Sequence, residues 1–317
     1  MPEPGHRAHG AAPGKVILFG EHAVVYGHRA IAAPLGSGLG TTVQHSDQGP
    51  LLSIPRWGQS GLTVEPTAEV QGPNAMGLAF ATALRTLELD PTTPVFVTID
   101  GRLPMGVGLG SSAAFAVSLI RGLAAFADIT LSEADLLNCA EAIEKVFHGT
   151  PSGLDHTVVA TSQCLLYRRS DGPTFQKISV RCEIPVVISW APRVGTTREI
   201  VGGVRRRHDA NPREFSALFE AMDTLVDGAI SALETGDLPR LGQLFDLNHG
   251  YLSACGVSGP SNEDMVHLAR ASGALGAKLT GAGRGGAVIA LAPNEPEQIV
   301  ARLVEHGYGA FHTTIQT

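Results

Sequence analysis

The segment Pro104–Ala114, PMGVGLGSSAA, constrains this chain more than any other stretch. Three glycines at alternate positions run straight into two serines and a series of helix formers. Glycine adopts positive φ without steric penalty and lets a ligand approach the backbone. From Ser111 and Ser112 the apolar residues Val117, Ile120, Leu123 and Ala124 fall at helical spacing, so the serines open a helix. A helix N-terminus offers unpaired N–H groups and the positive end of the dipole, which suits a phosphate. The segment therefore reads as an anion cradle, with a nucleotide polyphosphate as the expected anion. The plain alternative is a glycine-rich turn before a helix.

Two other nucleotide motifs are weighed against this reading. Gly108–Ala113 fits G-x-G-x-x-A and follows an apolar run, Val95–Ile99, but the dinucleotide fold needs a strand after the helix. Asp128 lies at a suitable distance for its ribose acid, yet the pattern beyond it is helical. A Walker loop is excluded because Gly14-Lys15 is followed by Val16 rather than Ser or Thr.

A chain of 317 residues suits two domains, and a boundary near residue 185 divides it into 1–185 and 186–317. The net charge of −7 argues against a nucleic-acid surface. The basic run Arg205–His208 reads as a solvated face or as a contact for an anionic substrate. Cys139, Cys164, Cys182 and Cys255 lie far apart without metal-ligand spacing, so buried free thiols in a reducing cytoplasm are expected. Met1–Ala12 has no apolar core of a signal peptide, and no apolar run is long enough for a bilayer. His6 and His9 read as part of a disordered start rather than as metal ligands.

Strands are expected at Lys15–Phe19, Ile31–Ala33, Gly40–His45, Leu51–Ile54 and Val95–Asp100, and a helix at Asn74–Leu87 with Pro73 near its start. Ser132 caps a helix to His148 with the stripe Leu136, Ala140, Ile143 and Phe147, stopped by Gly149 and Pro151. A short helix at Leu154–Ala160 and strands at Cys164–Tyr167 and Thr174–Ile178 follow. The second half reads as strand Val186–Trp190, helices Glu214–Leu233, Leu238–Leu247 and Glu263–Ala271, strands Lys278–Thr280 and Ala287–Leu291, helix Pro296–Glu305 and strand Ala310–Ile315. This order implies an α+β class with helices on one face of an antiparallel sheet.

Two further blocks carry chemistry. Lys278–Ala287, KLTGAGRGGA, is a second glycine cluster between two strands. It is either a hairpin or a second set of backbone amides for a ligand, and Arg284 either meets a phosphate or faces solvent. In Glu144–Asp155, EKVFHGTPSGLD, Glu144 sits at the margin of an apolar helical stripe, where an acid needs a partner. Glu141–Lys145 forms the exposed i,i+4 pair and leaves Glu144–His148 as a second one. Taken alone, Glu144 is an ordinary helix acid and Asp155 a helix cap. Beside a phosphate loop, Glu144, Asp155 and Lys15 can supply a metal ligand, a group for a hydroxyl proton and a positive charge, as phosphoryl transfer to an alcohol requires.

With these blocks in order, the chain resembles the GHMP small-molecule kinases over nearly its whole length, and within them the branch that acts on mevalonate. The resemblance rests on Pro13–Gly27 (PGKVILFGEHAVVYG), Pro104–Ala114 and Lys278–Gly286, together with Glu144–Asp155. Galactokinase-like members carry Asp-Tyr where this chain has Ala23-Val24, and homoserine-kinase-like members lack the acid at Asp155. The resemblance implies a ribosomal-protein-S5-like N-terminal domain, a ferredoxin-like C-terminal domain and a site in the cleft. It implies ATP and Mg²⁺ as cofactors and phosphorylation of the 5-hydroxyl of mevalonate in isoprenoid precursor synthesis.

Position by position, the resemblance makes Asp155 and Lys15 catalytic and Ser112 and Glu144 the metal ligands. It assigns Glu21, His22 and Thr197 to the acceptor. Pro104, Gly106, Val107, Gly108, Leu109, Gly110, Ser111, Ser112, Gly281 and Gly283 would hold the nucleotide. A cytoplasmic homodimer without nucleic-acid or membrane partners is implied. The alternatives are a kinase for phosphomevalonate, homoserine or a sugar, and a non-catalytic nucleotide-binding regulator. Three positions depart from the family pattern: His156 replaces Asn, Arg284 replaces Gly, and Gly195 stands where some relatives have Arg.

Overall fold

The computed structural model describes residues 6–63, 75–169 and 172–316. Its contacts divide the chain into two compact units. The first comprises the described residues of Met1–Lys15, Ser37–Met105 and Gly110–Ser162; the second those of Val16–Gly36, Gly106–Leu109 and Gln163–Thr317.

Strands β1 (Arg7–Phe19) and β2 (Arg29–His45) each contribute to both units. In the first unit, Leu39–His45 of β2 pairs antiparallel with β5 (Val95–Gly101). β3 (Leu51–Ile54) runs parallel to β5 and antiparallel to β4 (Gln59–Thr63). The β3–β5 pair departs from the all-antiparallel expectation, and β4 was not foreseen. Among its described residues the α-helices are α1 (Ala75–Thr86), α2 (Ser111–Phe126), α3 (Glu133–His148) and α4 (Leu154–Thr161). The expected start of α1 at Pro73 and Asn74 lies outside the described residues. Helix α2 begins at the serines, as expected, but is buried on every side from Ala113 to Ile120. A helix apolar all round belongs in a core. Gly122 permits its close seat, because a Cβ there would stand 2.8 Å from Thr41 Cγ2 of β2. Ser132 caps α3 through a capping box with Asp135.

In the second unit, β6 (Leu165–Arg169) pairs with Arg29–Ala32 of β2 and with β7 (Pro173–Lys177). β8 (Ile184–Ala191) lies between β11 (Gly309–Ile315) and β10 (Gly286–Leu291), and β10 pairs with β9 (Gly276–Leu279), all antiparallel. The helices are α5 (Thr197–Ala210), α6 (Pro212–Thr235), α7 (Leu238–Ala254), α8 (Pro260–Ala271) and α9 (Pro296–Glu305). Phe219, Met222, Leu252, Met265, Leu279 and Val288 lie at the heart of their shared core.

Helix α5 was not expected from the sequence, because only Ile200 and Val204 of its residues are buried. Helix α7 runs two turns beyond the expected Leu247, and β2 is one strand where two short ones were expected. All four cysteines are free, but Cys182 is exposed rather than buried. Among the described residues no helix is long and apolar enough to cross a membrane.

Candidate active site

The first unit gathers four of the sequence-predicted residues. Lys15 ends that unit's share of β1, and its Nζ lies 3.0 Å from Asp155 Oδ1. The lysine side chain is buried, while the aspartate stays about one-third exposed. Asp155 stands in the first turn of α4, where the unpaired amides favour an anion. Gly110 makes the seat for Lys15. It takes a left-handed φ of +68°, and a Cβ there would come 2.6 Å from Lys15 Cγ. The last glycine of the cradle thus opens α2 and also clears the path of the lysine stem.

Glu144 is almost fully buried on the inward face of α3. Burial pushes its carboxyl up to about 7, and the negative charge of Asp155 adds to the rise; a hydrogen bond from Ser112 and the charge of Lys15 pull it down. Its Oε1 has no hydrogen-bond partner. Ser112 Oγ lies 3.1 Å from His148 Nε2, and that nitrogen is 3.9 Å from Glu144 Oε2. Burial lowers the pKa of His148. The expected Glu144–His148 pair therefore exists, and Glu141–Lys145 is indeed the exposed one, at 2.9 Å.

The orphaned Glu144 oxygen and the neighbouring Ser112 hydroxyl are hard oxygen donors, which fit Mg²⁺. Among the described residues no cluster of three or more His, Cys, Asp or Glu could hold a metal on its own. Mg²⁺ is commonly bound through one or two carboxylates together with waters and substrate phosphates, which this pair of donors would fit. In the cradle, Gly106, Gly108 and Gly110 all have left-handed φ, at +76°, +97° and +68°. Left-handed residues alternating with ordinary ones are the backbone pattern of an anion-binding nest.

The second unit holds Glu21, His22 and Thr197. Glu21 is fully enclosed: one oxygen pairs with Lys278 Nζ and the other accepts from Asn248 Nδ2 at 3.0 Å. Burial holds the pKa of Lys278 below its ordinary value, and the charge and hydrogen bond of Glu21 offset only part of the fall. Thr280 Oγ1, on the same segment, donates to the carbonyl of Ile17 at 3.0 Å. These contacts brace the turn that carries His22, whose φ of +64° is unusual for a residue other than glycine. His22 Nε2 lies 3.0 Å from the carbonyl oxygen of Ala282, so that nitrogen carries the proton. Burial lowers the pKa of the ring.

Thr197 opens α5 behind the capping residue Thr196, and its hydroxyl accepts from Arg193 Nη1 at 3.2 Å. Arg193 was missed from the sequence. Its Nε is buried without a partner, and its guanidinium lies against Gly108 and Gly286. Lys278 and Asn248 were missed as well. A lysine inside the apolar run that forms β9 was a legible signal for the first, and nothing in the sequence marked the second.

Comparison with known proteins bears on the family of the chain. The family model of the GHMP kinases N terminal domain matches residues 75–163, and that of the GHMP kinases C terminal matches 229–309. The mevalonate kinase of Pyrococcus abyssi is 35% identical over 92% of this chain and 91% of its own length. That of Pyrococcus horikoshii is 34% identical with the same coverage. The crystal structure of L. major mevalonate kinase in complex with R-mevalonate superposes with a TM-score of 0.85 at 30% identity, covering 100% of this chain and 99% of that one. The chain belongs to the GHMP kinase family.

Proposed function

We propose that the chain transfers the γ-phosphoryl group of ATP to the 5-hydroxyl of mevalonate, giving 5-phosphomevalonate and ADP. The observation that carries this reading is the 3.0 Å contact of Lys15 with Asp155, in the same unit as Ser112 and the buried Glu144. The acceptor oxygen forms a bond to the γ-phosphorus as the bond to the β-bridging oxygen breaks. The hydroxyl proton passes to Asp155. Phosphoryl transfer has a loose transition state, so orientation of the hydroxyl and charge on the phosphates dominate the catalytic demand. Lys15 stabilises the charge developing near the acceptor oxygen and fixes the rotamer of Asp155.

Ser112 and Glu144 would hold Mg²⁺, which neutralises charge on the β- and γ-phosphates. The amides from Gly106 to Ser112 would cradle those phosphates, with Pro104, Val107 and Leu109 shaping the loop and Gly281 and Gly283 adding backbone surface. His22 and Thr197 are assigned to the acceptor. Glu21 serves the acceptor side by holding the His22 turn through Lys278 and Asn248.

Residues 1–185 would form the nucleotide- and substrate-binding domain and 186–317 the C-terminal domain. In support, the N-terminal family match ends at 163 and the C-terminal one opens at 229. A cytoplasmic homodimer is proposed on family resemblance, and light scattering would decide the oligomeric state.

The test is ADP release with ATP and Mg²⁺ across mevalonate, phosphomevalonate, homoserine and galactose. Turnover on mevalonate alone, with 5-phosphomevalonate as product, is expected. Turnover on another alcohol would overturn the acceptor assignment, and none on any would overturn the kinase reading.

A further inference from the structure

Helix α5 carries three consecutive arginines, Arg205–Arg207, in a chain of net charge −7. A hollow of about 290 Å³ is bordered by Arg206 and Arg207 on this helix and by Arg284 on the loop after β9. Three arginines thus border one cavity whose lining includes a single acidic residue, Glu199. That carboxylate is engaged elsewhere: its Oε2 accepts from the backbone N and the hydroxyl of Thr196, at 2.7 and 3.0 Å, as part of the α5 cap.

The arginines differ in their ties. Arg207 is fixed, because its Nη1 donates to the carbonyl oxygens of Cys255 and Gly256 at 3.1 and 3.3 Å. Among the described residues, the side chains of Arg206 and Arg284 make no hydrogen bond or ion pair. The Arg206 guanidinium lies back along its own helix over Gly202 and Gly203, where a Cβ would stand only 3.6 and 3.8 Å away. Arg284 has a left-handed φ of +51°, which glycine would adopt without strain, yet the position carries an arginine. Like charges converging on one hollow repel until an anion joins them.

We infer that this hollow binds the phosphoryl or diphosphoryl group of a small phosphorylated molecule, using none of the residues of the Lys15–Asp155 cluster. Guanidinium forks match phosphate oxygens in pairs, and a group bordered by three forks needs more acceptors than one carboxylate offers. The volume lies at the small end of ligand sites, which suits a metabolite. The acidic balance of the chain works against a nucleic acid or an anionic membrane as the source of the phosphate.

The test is calorimetric titration of the full chain with inorganic pyrophosphate, without Mg²⁺. It is run in a Lys15→Met/Ser112→Ala background, which weakens anion binding at the glycine loop, and binding left there is told apart because the α5 variants do not change it. One saturable binding event is expected. Adding Arg206→Glu should weaken it about ten- to hundredfold, the size of one charge-assisted hydrogen bond. Arg284→Gly, which relieves backbone strain while removing the charge, should weaken it in the same direction. Arg206 is exposed and unpaired, so the variant's melting temperature without pyrophosphate should match that of its parent. Absence of saturable binding at millimolar pyrophosphate, or binding unchanged by Arg206→Glu and Arg284→Gly, overturns the site.

Discussion

Lys15 Nζ and Asp155 Oδ1 lie 3.0 Å apart, with the lysine buried and the aspartate open to solvent on one side. The pair joins a strand to the first turn of a helix and leaves about a third of the aspartate side chain exposed. Asp155→Asn keeps the shape but removes the proposed proton acceptor and the partner charge of Lys15. Turnover on mevalonate should fall by about 10² to 10⁴ while nucleotide binding is retained, as measured by steady-state kinetics alongside fluorescent-nucleotide titration. Near-normal turnover would remove Asp155 from its role.

Glu144 makes stability depend on pH in an unusual direction. Its carboxyl is raised to about 7 in the folded chain from an ordinary 4.5. Between these values the folded state holds a proton that the unfolded state has lost, so stability falls as pH rises. The contribution is on the order of 3 kcal/mol, lost across that window and gone above it. In denaturant titrations from pH 4.5 to 7.5, Glu144→Gln should gain on the wild type as pH rises. A constant difference between the two would contradict the raised pKa.

The Glu21–Lys278 pair is fully buried. Removing one partner of such a pair strands a charge, at about 3–5 kcal/mol. Lys278→Met should therefore be severely destabilised, and Lys278→Met with Glu21→Gln should recover much of the loss. Chemical denaturation of the two single variants and the double variant measures the coupling. Additive losses would show that the charges do not depend on each other.

Gly110→Ala adds a Cβ 2.6 Å from Lys15 Cγ on a backbone of positive φ. Strain at such a position costs about 1–3 kcal/mol. The displaced lysine should also lower kcat more than it changes the affinity for ATP. A variant with wild-type melting temperature and kcat would mean that the loop relaxes freely.

Local signals were read well. The Ser132–Asp135 capping box sets the start of α3, β3 falls at Leu51–Ile54 as expected, and α9 spans Pro296–Glu305 as expected. Helix α5 escaped notice because two buried residues in fourteen make no stripe, and the segment is held by its Thr196 cap and its neighbours. The single strand β2 reads as two because Pro34, Gly36 and Gly38 look like breaks in the sequence. Its pairing with β6, β11 and β5 overrides those local preferences. At the site, Glu144 was suspected from its place at the edge of an apolar stripe. Asp155 and Lys15 gain candidate roles beside the phosphate loop from the demands of phosphoryl transfer, and the family resemblance divides those roles between them.

The turn-forming glycines of the 104–110 loop, the serines that open α2 and the cap of α3 followed from the sequence by itself, because each depends on backbone sterics and hydrogen bonds within a few residues. Only the tertiary structure decided which charges meet. Glu21 finds Lys278 across 257 residues of chain, and Lys15 reaches Asp155 past the missing side chain of Gly110. The proton affinity of Glu144 belongs to the same class. It is set by how completely water is excluded and by the charges alongside, and both come into being only when distant segments pack.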